Sequence, residues 1–349
     1  MNALSLFSNI GIGESLLFKN NINIKVANEI IEKRVKIYRE MYPKVNMISG
    51  DIRNNDTFNK IIESSLKFKC DFLIATPPCQ GMSAAGKRQS GDIRNDLTTY
   101  VIDVIKLIKP KYILIENVPN FEKTTIKINN KDVNVFEYLK SELSDYKINS
   151  KVINCADYGI PQNRKRIFIL ISRMDVKEWG FNLVKKDIIT VEDAIGHLPS
   201  IESGEHSDIK YHYAIEHNKN HVLWMKNTPT GKTAFDNIIH FPNINGRLIK
   251  AYRSSYRRIR WDKPSPTITT GSSFISSQNK VHPGRKKSDG TYSDARSLSP
   301  LEIMLLMGLK SSWGLPEWVS DNLLRKVIGE AVPPKIIYEL TKDIKNVIK

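Results

Sequence analysis

The sequence predicts an α/β protein, a doubly wound parallel sheet covered by helices on both faces and followed by a smaller, irregular domain. Three observations predict it. Short apolar runs alternate with helical patterns through about residue 173. The periodicity then fades into a stretch rich in His, Asn and Lys. Every candidate ligand group of the first half stands where an apolar run ends, the place where open α/β sheets bind ligands.

Taken in order, "ALSLFS" reads as a strand and residues 13 to 19 as a helix. "NIKVANE" is a second strand, followed by a helix over about 30 to 41. "NMISGDI" is a third strand and "DFLIAT" a fourth. The helix "LTTYVIDVIKLIK" leads to a fifth, "KYILIENV", and "KRIFILIS" is the last, at 165 to 172. Beyond it, "TVEDAIGHLPSIESGE" holds one short helix, with Thr190 placed as its N-cap and Asp193 as the reciprocal partner. The expected division is 1–173, an irregular 174–322, and a helical tail 323–349 interrupted at Gly329 and at Pro333-Pro334.

Fifty-three Lys and Arg against 37 Asp and Glu give a formal charge of +16 on 349 residues. An excess of that size favours a polyanionic partner, because each neutralised phosphate releases counterions. No run approaches the length of a membrane span, and "MNALSLFSNIG" lacks a basic region ahead of its apolar stretch, which argues against a secretory signal. Three cysteines without a CxxC pair imply neither a disulfide framework nor a zinc knuckle, and a reduced cytoplasm fits them. Seven histidines form no HExxH or Cys/His pattern, so no metal is expected.

The first strand leaves through Gly11 and Gly13 into a turn whose backbone can approach a ligand closely. Glu29 ends the second strand, where an acid commonly accepts from a ribose diol, and Asp51 ends the third. A glycine turn with two spaced acids and no phosphate cradle suits S-adenosylmethionine. The alternative is that both acids cap the helices that follow. Cys79, in "ATPPCQGMS", sits at the exit of a buried strand on a turn that prolines make stiff, and a thiolate suits attack on an electron-poor ring carbon. Glu116 ends the neighbouring strand, where burial favours a protonated acid that can donate to a ring nitrogen. Arg164 and Arg166 alternate at the start of a strand and so are expected to face one side, able to fix Glu116. "YRRIRW" at 256 to 261 interleaves basic and aromatic residues, suiting phosphate contact, or else forms a basic edge strand.

"PPCQGMS", "ENV", "QNRKR" and "GEAVPP", in this order after "LFSNIGIGE", resemble the ordered motifs of DNA (cytosine-5)-methyltransferases. "VANE", "GDI" and "RNDL" fit further motifs, and "RRIRWDKPSPTITTG", "VHPGR" and "DARSLSPLE" resemble the segments closing the target-recognition region. The resemblance spans nearly the whole chain apart from about 175 to 250. It implies a Rossmann-like class I methyltransferase sheet, a target-recognition domain at 174–322, and a tail returning to the sheet. It makes Cys79 the nucleophile on cytosine C6, Glu116 the contact to N3 and the exocyclic amine, and Arg164 and Arg166 the brace. S-adenosyl-L-methionine, leaving as S-adenosyl-L-homocysteine, is expected against Phe7, Ser8, Gly11, Glu29, Ile30, Asp51, Ile52, Pro78, Leu97 and Val332. Ser83, Lys87, Arg88, Arg94, Arg257, Arg258 and Arg260 are the expected DNA contacts, on a base extruded from the duplex. The implied setting is a cytoplasmic, nucleoid-associated monomer, with or without a separate cognate endonuclease; the tRNA branch of the family is the alternative. Ser5, Asn9, Ile12 and Glu330 depart from the family's usual Asp, Gly, Gly and Asn.

Overall fold

A computed structural model describes residues 1–78, 97–128, 131–271 and 273–345. The chain forms two compact units. The first holds residues 1–154, 165–184 and 334–349, and the second holds 155–164 and 185–333.

The first unit is a seven-stranded sheet: β1 (Asn2–Leu6), β2 (Asn23–Glu29), β3 (Asn46–Ser49), β4 (Cys70–Ala75), β5 (Tyr112–Asn117), β6 (Tyr146–Asn154) and β7 (Lys165–Arg173). Its order is β3-β2-β1-β4-β5-β7-β6. The first five strands are parallel, linked through α1 (Glu32–Met41), α2 (Asn55–Lys67) and α3 (Leu97–Ile108). Every residue of β5 is buried, and its run "YILIEN" is the near-continuous apolar signature of a strand covered on both faces. The core beneath combines Leu73, Ile113, Ile115, Ile167 and Ile169 with Val101 and Ile105 of α3.

The expectation of a wholly parallel sheet is corrected at one edge. α4 (Val135–Glu142) precedes β6, and β7 then inserts antiparallel between β5 and β6. Only residues 155–164 separate these two strands, too few for the crossover that parallel pairing needs. β6 itself escaped the sequence reading because "YKINSKVIN" is a polar, half-exposed edge strand with little alternation. The helix expected over 13–19 is also corrected: that stretch is turns and a 3-10 helix, Leu17–Asn20, stopped by left-handed Asn21.

Past residue 173 the chain still belongs to this unit. Trp179 packs its ring 5.9 Å from Phe72 and 6.1 Å from Tyr112, and its indole N–H donates to Leu340 O. The C-terminal helix Pro334–Lys345 is tied on by Asn20, whose Nδ2 donates to Tyr338 O and Thr341 Oγ1.

The second unit consists of short helices (Val191–Ile195, Lys219–Lys226, Pro300–Leu306, Asp321–Glu330) and two-residue strand pairs. Thr190 caps the first helix and Asp193 returns the bond, as the spacing implied. The helix expected to break at Gly329 runs through it to Glu330. A Cβ at Gly329 would lie 2.5 Å from the Thr269 carbonyl carbon, so the glycine serves a close backbone approach and not an interruption. Part of this core is ionic. Buried Arg296 donates bidentately to Glu302 at 2.9 and 2.8 Å, to Asp294 at 2.9 Å and to Ile201 O at 2.7 Å.

Candidate active site

In the first unit the candidate residues gather at the carboxyl ends of the parallel strands. β1 ends at Leu6, and the chain turns through Phe7 and Asn9, both with positive φ (59° and 52°), to Gly11 at φ 82°. Asn tolerates the left-handed region better than most residues, which explains its place where the family favours glycine. Gly11 is required: a Cβ there would lie 2.4 Å from the Tyr42 ring, whose hydroxyl donates to Gly11 O. Ser8 is buried, and its hydroxyl donates to Ser5 O.

Glu29 closes β2 with its carboxylate buried. Oε2 accepts from Asn9 N and Oε1 from Ile31 N, both at 2.9 Å. The acid therefore braces both the first turn and the entry to α1, and burial pushes its carboxyl up from the ordinary value. Each oxygen retains a second lone pair for a ligand hydroxyl. Ile30, beside it, is exposed. Asp51 is no helix cap: Asn54 caps α2, while Arg53 chelates Asp51 at 3.0 and 2.6 Å and holds its carboxyl below the usual range. Ile52 and Leu97 are buried and Pro78 is exposed.

At the reacting end, Glu116 of β5 is buried, and Arg166 Nε of β7 stands 3.0 Å from its Oε1. The register pairs Phe168 with Glu116, so Arg166 lies two residues along on the same face. Asn117 Nδ2 donates to Pro77 O at 3.2 Å, tying the end of β5 to the turn that follows β4. The sequence reading missed this tie, although an amide beside the acid in "IENV" is the signal. Cys79, Ser83, Lys87, Arg88 and Arg94 lie outside the described residues. The other two cysteines are buried, and burial pushes the Cys70 thiol up to about 12, which leaves it unreactive near neutral pH.

A second missed cluster underlies the first turn. Glu14, also buried, accepts from Ser5 Oγ at 2.8 Å and Tyr38 OH at 3.3 Å through one oxygen. Burial raises its carboxyl to about 7. Ser5, which stands where the family commonly has aspartate, is thus a donor to this carboxyl.

In the second unit the expectation for Arg164 is corrected. It lies ahead of β7, and its guanidinium donates to Ile268 O at 3.0 Å, Gly329 O at 3.3 Å and Glu330 O at 3.4 Å. Gln162 accepts from Ile268 N and donates to Leu306 O, and Lys280 Nζ donates to Thr267 O. These residues clasp the "TITT" segment, and burial pushes the Lys280 amine down to about 7. Val332 is buried and belongs to this unit.

Arg258 is a further correction. Expected at a phosphate, it is fully buried and donates to the carbonyls of Met225, His282 and Asp294. Arg257 donates to Gly231 O, and exposed Arg260 pairs with Asp262 at 2.8 and 2.6 Å. Within "YRRIRW", Tyr256, Arg258 and Ile259 are buried, and only Arg257 and Arg260 of its cations keep exposed surface.

The profile of the C-5 cytosine-specific DNA methylase family matches residues 1–346. The Type II methyltransferase M1.HgaI of Avibacterium volantium is 50% identical over 351 residues, covering 98% of each chain. M1.HphI of Haemophilus parahaemolyticus, also a Type II methyltransferase, is 33% identical over 98% of this chain and 86% of its own. Among solved structures, a DNA modification methyltransferase encoded within an E. coli prophage superposes with a TM-score of 0.70 over 100% of this chain and 99% of that one. At 19% identity it speaks to the fold alone.

Proposed function

Because the chain belongs to the C-5 cytosine-specific DNA methylase family, we propose that it transfers the methyl group of S-adenosylmethionine to C5 of one cytosine in a specific duplex sequence. The observation that carries the reading is the tie between Asn117 and Pro77. Through it, the Glu116–Arg166 pair and the turn leading to Cys79 share one end of adjacent strands.

The residues present fit the cofactor. Glu29 is a buried acid with lone pairs to spare for ribose hydroxyls, beside the left-handed turn through Phe7, Ser8 and Gly11. Exposed Ile30 offers an apolar face to adenine, Asp51 an acceptor for its amino group, and Ile52, Pro78 and Leu97 complete the apolar wall. When bound, the cofactor supplies an electrophilic methyl group.

The chain's own residues do the rest. The base is extruded, because its C6 is shielded inside the duplex. The Cys79 thiolate adds to C6, which moves electron density to C5, and C5 forms the new bond to the methyl carbon before its proton is lost. Glu116 hydrogen-bonds N3 and the exocyclic amine, and Arg166 keeps Glu116 in register. A base then removes the C5 proton, and the thiolate departs from C6.

The setting that fits the named relatives is a cytoplasmic, monomeric modification enzyme with a separately acting endonuclease. The tRNA alternative is disfavoured, since the matching family and the 50% identical relative are described by DNA methylation and Type II modification. Tritiated methyl transfer to DNA and to tRNA tests the reading. DNA labelling that is lost in Cys79→Ser, together with a denaturation-resistant adduct on 5-fluorocytosine DNA, is expected; labelling of tRNA alone would overturn it.

A further inference from the structure

A short hairpin in the second unit pairs Asn243–Ile244 with Arg247–Leu248. Asn245 and Gly246 join them at φ 50° and 78°, the double left-handed geometry of a tight two-residue turn. Its base is fixed. Ile249 packs against the cluster of Trp224, Met225 and Tyr256, and its N–H donates to Pro242 O. Asn237 Nδ2 donates to Trp224 O, Thr228 Oγ1 and His240 O.

The outer part is unlike an ordinary surface. Ile238 is 93% exposed, Ile244 68% and Leu248 60%, with Ile239 and Tyr252 also in water. Residues 238–253 contain Arg247, Lys250 and Arg253, the last paired with Asp236 at 3.1 Å. Exposed aliphatic groups in this number on a short segment mark a binding surface, and the exposed Arg247 and Lys250 beside them favour a polyanion. A two-stranded ribbon is one of the two shapes that B-DNA's major groove admits, and its base edges offer both apolar thymine methyls and the guanine acceptors that arginine reads. "YRRIRW" offers less, because Arg258 is buried and Arg260 is paired with Asp262.

We propose that this hairpin is the ribbon that enters the major groove, Arg247 reading a guanine edge and Ile244, its cross-strand partner on the same face, packing on a thymine methyl group. The inference rests on the DNA-methylating reading and adds which element selects the sequence.

The test expresses wild type, Arg247→Ala and Ile244→Ser in cells without cytosine methylation and maps 5-methylcytosine by bisulfite sequencing. Occupancy of the wild-type sites is expected to fall about ten-fold or more, or methylation to spread to related sites, since a lost base contact removes discrimination of that order. S-adenosylmethionine affinity by calorimetry and the melting temperature should stay at wild-type values. The same sites at the same occupancy in both variants would overturn the proposal. Wild type leaving no methylcytosine would instead sink the enzymatic reading. The hairpin is then judged by retention of the purified proteins on sheared duplex DNA, where about ten-fold weaker binding of the variants supports it and equal binding overturns it. A changed sedimentation coefficient with DNA retention unaltered would also overturn it, by making the hairpin a protein–protein interface.

Discussion

Arg166 Nε lies 3.0 Å from Glu116 Oε1, across the antiparallel junction of β7 and β5, with the two side chains 16% and 9% exposed. An ion pair this sheltered is costly to break from one side, because the remaining charge keeps its desolvation penalty; about 3 kcal/mol is the usual scale. Arg166→Met should therefore destabilise the protein by about that amount, and Glu116→Gln by less. The double variant should recover part of the loss, a coupling that urea melts of all four proteins would measure. Glu116→Gln alone should slow single-turnover methyl transfer about a hundred-fold or more while cofactor affinity holds, as expected for a group in direct proton or hydrogen-bond contact with the base. Additive stabilities, or a Glu116→Gln enzyme at full rate, would refute this assignment.

Glu29 has two duties that separate by substitution. Glutamine keeps one acceptor oxygen, whereas alanine leaves Asn9 N and Ile31 N without the partner they have now. Glu29→Gln should raise the S-adenosylmethionine Kd about ten-fold, the scale of a charge-assisted hydrogen bond. Glu29→Ala should add a stability loss of about 1–3 kcal/mol from the orphaned donors. Calorimetry and denaturant melts on both variants distinguish the duties; unchanged affinity in Glu29→Gln would reduce Glu29 to a structural brace.

Glu14 makes stability depend on pH in an unusual direction. Burial raises its folded pKa to about 7 from the ordinary 4.5. Between these values the folded state holds a proton that the unfolded state has lost, so unfolding releases it and stability falls as pH rises. The fall starts near 4.5 and ends just above 7, and by linkage it amounts to about 3 kcal/mol. Glu14→Gln keeps an acceptor for Ser5 and Tyr38 and removes the titration. Urea melts from pH 4.5 to 8 should show wild type losing stability relative to the variant; parallel curves would mean that Glu14 is ionised throughout.

What was legible in the sequence follows from how each part is stabilised. β4 and β5 are buried on both faces, so "CDFLIA" and "YILIEN" announce themselves, and with them the position of Glu116. β6 was illegible because an edge strand can be built from "YKINSKVIN". The second unit lost its period because Arg258, Arg296, Arg325 and Lys280 are buried in it, and side chains of that kind look like surface in a sequence. The same blindness misplaced Arg164, whose neighbour-but-one Arg166 does reach Glu116, while Arg164 itself donates to the backbone carbonyls of Ile268 and Gly329. Asn9 was visible as a departure, but only its φ of 52° explains why asparagine is tolerated there.

Arg258 allows the buried and the exposed cations of the second unit to be told apart in solution. Its guanidinium is fully buried and donates to three backbone carbonyls, and burial lowers its pKa to about 10. Methionine in its place would fill much of the space but leave those carbonyls without their donor, so Arg258→Met should cost about 1–3 kcal/mol of stability or more. A side chain that neutralises no phosphate releases no counterion. The slope of log K against log salt for DNA binding should therefore be the same in Arg258→Met as in wild type, provided that measurements are made below its melting temperature. Arg247 is exposed on the hairpin, and any phosphate contact it adds to its base reading should appear in that slope as a decrease of up to about 0.9 in Arg247→Ala. Fluorescence anisotropy on a fixed duplex at four or five salt concentrations gives both slopes. A shallower slope in folded Arg258→Met would mean that its guanidinium reaches DNA after all, and the carbonyl bonds that now hold it would have to open on binding.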